Sequence, residues 1–197
     1  MWEERFSTDD YVFGKAPALF MLDHADQFKA GQSVLSVADG EGRNSVWLAK
    51  RGLDVTALEF APSAVDKACK LADEEGVQLT HEIADVFAFD WPKAAFDHVL
   101  AVFIQFVGPT ERQRLFQNMQ DAVKPGGLLS LHGYTPKQLE YGTGGPRILE
   151  NLYTSEILES HFASWDIVEN RAHERELNEG NGHAGMSALI DFVARKP

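Results

Sequence analysis

Val34 to Gly52 reads VLSVADGEGRNSVWLAKRG. An apolar, β-like run from Val34 to Ala38 enters an acidic turn holding Gly40 and Gly42. A helical pattern from Asn44 to Arg51 follows and closes on Gly52. In an open α/β sheet such a turn lies where ligands collect, beyond the carboxyl ends of the strands. Glycine lets the backbone bend sharply and approach a ligand, and the helix offers free N–H groups at its start. Two phosphate readings fail on residue identity. A dinucleotide turn wants a third glycine three residues after the second, where this chain has Ser45; a triphosphate loop wants Gly-Lys-Ser/Thr, where it has Gly42-Arg43-Asn44. Asp39 and Glu41 would also repel a pyrophosphate.

Working outward, DVTALEF (54–60) reads as a second strand and SAVDKACKLADEEG (63–76) as a helix ending at Gly76. VQLTHEI (77–83), FDHVLAVF (96–103) and LLSLHGY (128–134) read as strands three to five. A helix, TERQRLFQNMQDAV (110–123), precedes the stop KPGG. Strands alternating with helices predict a doubly wound parallel α/β sheet. SWDIVENRAHERELN (164–178) and MSALIDFVAR (186–195) break the rhythm as two strands joined as a hairpin. PALFMLDHADQF (17–28) has helical spacing, and the irregular stretch 135–151 is long enough to be a functional loop. The whole chain is expected to be a single domain, with residues 1–30 as an N-terminal cap and helix.

The acidic turn suits a ligand that is positive and carries no phosphate. S-adenosylmethionine, with its sulfonium and ammonium, is such a ligand. Glu59 ends strand two, 19 residues beyond Gly40 (59 − 40), near the ~20-residue spacing of a ribose-binding acid. Phe60 can pack on an adenine ring. Asp85, after strand three, can accept from an adenine amino group. Each acid alone could be a solvated strand end; the specificity lies in three strand tips used in succession.

On these residues the chain resembles the class I S-adenosylmethionine-dependent methyltransferases along essentially its whole length. VLSVADGEGRN is similar to that family's first motif, VTALEF to its acidic second strand, IADVFAF to its third motif, and FDHVLAVF and KPGGLL to the fourth strand and the turn before the fifth. WEERFSTDDYVFGKAP, YTPKQLEYGTGGP and ELNEGNGHAG resemble small bacterial stand-alone members near the tellurite-resistance and thiopurine methyltransferase groups. The resemblance implies a Rossmann-like sheet of about seven strands with the last antiparallel. It implies a cofactor set of Asp39, Gly40, Glu41, Gly42, Asn44, Glu59, Phe60, Asp85, Val86 and Phe103. Three positions depart from the pattern. Ser36 and Ala38 stand where the first motif commonly has an acid and its first glycine, and Phe106 stands where a histidine would follow strand four.

Topology nominates the catalytic residues. Strand five ends near His132 and Tyr134, and NEGNGHAG should bring Glu179 and His183 to the same edge. The named catalytic candidates are therefore His183, Tyr134 and His132. Tyr11, Tyr141, Arg147 and Glu179 are candidate acceptor contacts. The ordinary alternatives are a hydrogen-bonded core residue for His132, packing for Tyr134 and a turn residue for His183. His81, His98, His161 and His173 lack any partner spacing that suggests a metal, and no metal is expected.

Composition bounds the rest. Of 197 residues 44% are apolar, and 30 acids against 18 Lys and Arg give a net charge of −12. That balance disfavours nucleic acid and anionic membranes and mildly favours a small-molecule acceptor. The family resemblance implies that this acceptor is a small soft nucleophile, for example a thiol, a thiopurine-like sulfur or a metalloid oxyanion. The lone Cys69, the charged first residues and the lack of a ~20-residue apolar run give the expectation of a soluble cytoplasmic protein. A homodimer is compatible with the sequence. Two rival functions stay open: a regulatory module that binds S-adenosylmethionine or its demethylated product without catalysis, and a nicotinamide oxidoreductase, against which Ser45 and the acidic loop count.

Overall fold

In the computed structural model, which describes residues 2–180 and 182–197, the strand-helix alternation runs as read. The elements are α1 (Trp2–Phe6), α2 (Leu19–Asp23), β1 (Ser33–Val37), α3 (Arg43–Lys50), β2 (Asp54–Glu59), α4 (Pro62–Glu75), β3 (Thr80–Ile83) and β4 (Phe96–Val102). They continue with α5 (Pro109–Ala122), β5 (Val123–Tyr134), α6 (Gln138–Tyr141), α7 (Ser155–His161), β6 (Asp166–Glu179) and β7 (His183–Arg195). One seven-stranded sheet has the order β3-β2-β1-β4-β5-β7-β6. β1, β2 and β3 pair in parallel, as do β4 and β5, whereas β7 is antiparallel to β5. The expected seven-strand arrangement, with an antiparallel final strand, is what the chain forms.

The local causes are plain. Pro62 and Pro109 open α4 and α5, where a missing N–H costs nothing. Gly76 closes α4 at φ +67°, and Thr154 caps α7 by accepting from Ile157 N. β1 and the later part of β7 are covered on both faces: Val34, Leu35 and Val37, and Leu189, Ile190, Phe192 and Val193, are all buried.

Four expectations shift. The helix read over 17–28 is α2 followed by a 3-10 turn, Ala25–Gln27. Strand three contracts to Thr80–Ile83. β5 begins at Val123, so KPGG belongs to the strand. Residues 135–151 contain α6 and a 3-10 turn at Leu149–Asn151.

Two compact units can be described separately. The first is Met1–Asp90 with Glu179–Gly182, and the second is Trp91–Asn178 with His183–Pro197. Among the described residues no helix is long and apolar enough to cross a membrane.

Candidate functional site

In the first unit the chain leaves β1 through left-handed positions at Ala38 (φ +50°), Gly40 (+67°) and Gly42 (+87°). Ala38 thus adopts, at some strain, the backbone that a glycine would take freely. The two glycines serve different ends. A Cβ on Gly42 would lie 2.7 Å from Ala68 Cβ, so Gly42 is what lets α3 pack on α4. A Cβ on Gly40 would meet only the Phe6 ring, at 3.8 Å.

Glu59 is buried at the tip of β2. Its Oε1 accepts from Phe60 N and Ala61 N, both at 2.9 Å, and its Oε2 accepts from Gly40 N at 2.9 Å. A carboxylate offers about four acceptor positions, so Oε2 retains one for a hydroxyl. Asp39 is held by hydroxyls: Ser36 Oγ donates to Oδ1 at 2.6 Å and Ser45 Oγ to Oδ2 at 2.5 Å. Burial pushes its carboxyl up to about 6; the two hydroxyls pull the other way, and the charge of Glu59 adds to the rise. The Asp39 side chain keeps some surface to solvent, so the charge is strained rather than excluded. A cation beside this turn relieves both acids. Phe60 lies 60% exposed immediately after Glu59, an open aromatic face at a strand tip. Asp85, also exposed, accepts from Phe87 N at 2.7 Å, and Val86 beside it is buried.

Other residues named from sequence are engaged inside the first unit. Glu41, 3% exposed, pairs with Lys67 at 2.8 Å, and Asn44 Oδ1 accepts from Ala18 N at 2.9 Å. Glu179 pairs with buried Arg43 at 2.8 Å and accepts from Leu19 N at 2.8 Å. Tyr11 OH donates to Lys67 O at 2.9 Å. Gly180 lies so close to the N-terminal segment that a Cβ would stand 2.6 Å from Phe13 C. Tyr11, Glu41, Asn44 and Glu179 thus fasten the N-terminal segment to α3 and α4. That leaves Asp39, rather than Glu41, as the acid of the turn with spare acceptor capacity.

In the second unit β4 is followed directly by Phe103, at φ +59°, a strained angle for an aromatic residue. Phe103 N donates to His132 O at 2.8 Å. Its ring packs at 4.1 Å from His183, 4.7 Å from His132 and 4.8 Å from Tyr134, centroid to centroid, so the three catalytic candidates gather around one phenyl ring. All three are buried. His132 Nδ1 lies 2.7 Å from Asp191 Oδ1.

Two glutamines hold this cluster, and neither was singled out from sequence. Gln105 donates to Tyr134 O at 2.8 Å and accepts from Tyr134 N at 2.6 Å. Gln138 donates to Thr143 Oγ1 and Gly144 O and accepts from Ala188 N at 2.9 Å, pinning the 142–145 turn. Gly145 in that turn has no room for a side chain, since its Cβ would be 2.6 Å from the Tyr134 ring. Tyr141 bonds Glu174 on β6, and Arg147 is exposed on the same loop. Gln105 carries no motif. Asp191 did carry a signal, a single charge inside the apolar run ALIDFVA.

A glycine turn with acidic strand tips, on a sheet whose seventh strand is reversed, defines a Rossmann-like methyltransferase fold. Residues 34–127 match the family model described as a methyltransferase domain. Over this stretch, just under half of its length, the chain is similar to methyltransferase domains.

A demethylmenaquinone methyltransferase of Thermus thermophilus is 28% identical over 110 residues, which are 55% of this chain and 50% of that protein. The chain spans about half the length of the curated relatives it matches. Among solved structures, TehB from Haemophilus influenzae superposes with a TM-score of 0.73 at 18% identity, covering 100% of this chain and 66% of that one. The N-methyltransferase NodS from Bradyrhizobium japonicum, in complex with S-adenosyl-L-homocysteine, gives a TM-score of 0.73 at 15% identity over 100% and 96%. At such identities the structural likeness is one of fold.

Proposed function

We propose that this protein transfers the methyl group of S-adenosylmethionine to the sulfur of a small molecule. One observation carries the cofactor half of this reading. The β1 and β2 tips place two carboxylates, Asp39 and Glu59, around a backbone turn with no phosphate-binding lysine, and the carboxyl of Asp39 is driven upward by burial, to which the charge of Glu59 adds. The sulfonium and ammonium supply that charge, Glu59 Oε2 accepts a ribose hydroxyl, and Phe60 covers the adenine. Asp85 and Val86 complete the adenine contacts.

The acceptor half rests on the second unit. The rings of Phe103, His132, Tyr134 and His183 make a soft, polarisable surface, which suits a sulfur atom. Methyl transfer to sulfur needs chiefly proximity and alignment, and a base when the thiol is protonated. Tyr141 and Arg147 are the loop contacts proposed for the rest of the acceptor. Resemblance to the thiopurine and tellurite-resistance groups points the same way.

Titration calorimetry with S-adenosylmethionine tests the reading. Glu59→Ala should weaken binding by about 1.5–3 kcal/mol, the value of hydrogen bonds to a charged group. Unchanged affinity in a folded variant removes Glu59 from the site. Formation of S-adenosylhomocysteine in the presence of a small thiol, and not without it, separates a methyltransferase from a silent binding module.

A further inference from the structure

The N-terminal motif WEERFSTDDYVFGKAP lies in the first unit and is held there very unevenly along its length. From Asp10 onward it is fastened. Lys67 of α4 donates to Asp10 O at 2.7 Å and pairs with Glu41 at 2.8 Å, and Tyr11 OH donates to Lys67 O at 2.9 Å. Just beyond the motif, buried Asn44 and Glu179 accept from Ala18 N and Leu19 N. Residues 7–10, by contrast, are exposed, and the hydroxyls of Ser7 and Thr8 donate within the segment, to Glu4 O and Asp10 O.

α1 lies on the far side of that exposed link, and two side chains hold it down. Glu3 accepts from Ser63 N at 3.1 Å and from Ser63 Oγ. Ser63 N is one of the free donors in the first turn of α4, whose own N-cap residue, Ala61, makes no side-chain bond to it. Glu3 thus serves α4 as a cap from outside, with its charge at the positive end of the helix. The other hold is Phe6. Its ring is 3% exposed, packs with Ala61 and Ala64, and stands over Gly40. It therefore bridges the two turns, 38–42 and 59–61, that carry Asp39 and follow Glu59. Trp2 stacks on Phe6 at 5.6 Å and stays 37% exposed.

A ligand that approaches the Gly40 backbone and bonds Glu59 lies beside the Phe6 ring. We propose that α1 is a flap over the cofactor turn, and that S-adenosylmethionine enters and S-adenosylhomocysteine leaves when it swings out on residues 7–10. The inference rests on the cofactor reading above. A short element held by one acid and one ring opens locally at far less cost than the domain unfolds. Movements of this kind set the rate of product release in many enzymes. Glu3 touches α4 and not the cofactor, so it is a positioning residue: it keeps Phe6 seated.

Stopped-flow mixing with S-adenosylhomocysteine tests the flap on Glu3→Ala and Ser63→Ala, which alter no group placed against the cofactor. The tie they cut is the same with and without ligand. A gate should therefore open faster in both directions: association and dissociation rate constants rise together, by roughly tenfold, the lower end of what bonds to a charged group are worth, while Kd changes less than about twofold. Unchanged rates in both variants would make α1 a fixed buttress. Faster dissociation with unaltered association would make the flap a contact and not a gate. Either result overturns the proposal. Trp2 gives a readout independent of ligand. Acrylamide quenching of Trp2, taken as the difference between each protein and its Trp2→Phe counterpart, should be stronger in Glu3→Ala than in an otherwise wild-type chain. Equal quenching beside normal binding would overturn the flap alone. A wild-type protein that binds no S-adenosylhomocysteine would overturn the cofactor reading and the gate with it, so the two failures are distinct.

Discussion

Two aspartates enclosed by this chain are driven in opposite directions. Asp39, in the first unit, has two serine hydroxyls and the like charge of Glu59 for company, and its carboxyl rises to about 6. Asp191, in the second, is ringed by two imidazoles and a guanidinium, and its carboxyl is held below the ordinary range against the pull of burial. Both sit on the same kind of scaffold, so burial alone does not decide their fate. What differs is whether the fold itself supplies the positive charge. At Asp191 it does, and the acid orients a neighbour. At Asp39 none is supplied among the described residues, and on the proposed reading a cation from outside takes that place.

The largest effect tests what pairing inside the fold is worth. Arg43 and Glu179 form a buried ion pair in the first unit, with side chains 8% and 6% exposed. Arg43→Met should cost about 3–5 kcal/mol in urea unfolding, because Glu179 is then left charged and buried. Adding Glu179→Leu should recover most of that loss. If Arg43→Met is neutral, fold-supplied pairing is not what separates the two kinds of acid.

Next comes Asp39→Asn. The raised carboxyl means that the folded protein holds this proton more tightly than the unfolded chain. The associated stability is full below about pH 4 and is lost as pH rises through about 6. A rise from 3.8 to about 6 corresponds to about 3 kcal/mol, an upper bound because Asp39 keeps some solvent contact. Asp39→Asn should therefore be more stable than wild type at pH 8, by on the order of 1–3 kcal/mol, and equal to it near pH 4. Affinity for S-adenosylmethionine should move the other way and fall. A variant both less stable at pH 8 and unaltered in binding would place Asp39 with the internally satisfied acids.

Much of this contrast was legible before any coordinates. The strand tips at Glu59 and Asp85 and the phosphate-averse turn follow from residue identity and spacing, because strand alternation and glycine turns are local. The partner of each acid was not legible. Glu41, Asn44 and Glu179 look like ligand groups in a linear reading, yet Lys67, Ala18 N and Arg43 take them up across 26, 26 and 136 residues. Long-range pairing leaves no periodic trace. α1 and α7 were missed because each is too short for a helical repeat to declare itself, even with Thr154 as a cap. Gly42 was read as a ligand glycine, whereas the contact that excludes a Cβ there is Ala68 on another helix.

Phe60 closes the series with the smallest expected effect and a different logic. It is 60% exposed, so the folded chain gains little from its ring. Phe60→Ala should leave urea stability within about 0.5 kcal/mol, as for a surface substitution away from caps and core. An aromatic ring stacked on another is worth about 0.5–1.5 kcal/mol beyond its buried area, so affinity for S-adenosylmethionine should drop by roughly two- to tenfold. S-adenosylhomocysteine should lose the same factor, because the adenine is common to both while the sulfonium is not. Asp39→Asn, by contrast, should penalise the cationic ligand more than the neutral-sulfur one. Calorimetry of the two ligands on the two variants thus separates a charge contact from a stacking contact, and equal ratios in both would erase the distinction drawn between the turn and the aromatic beside it.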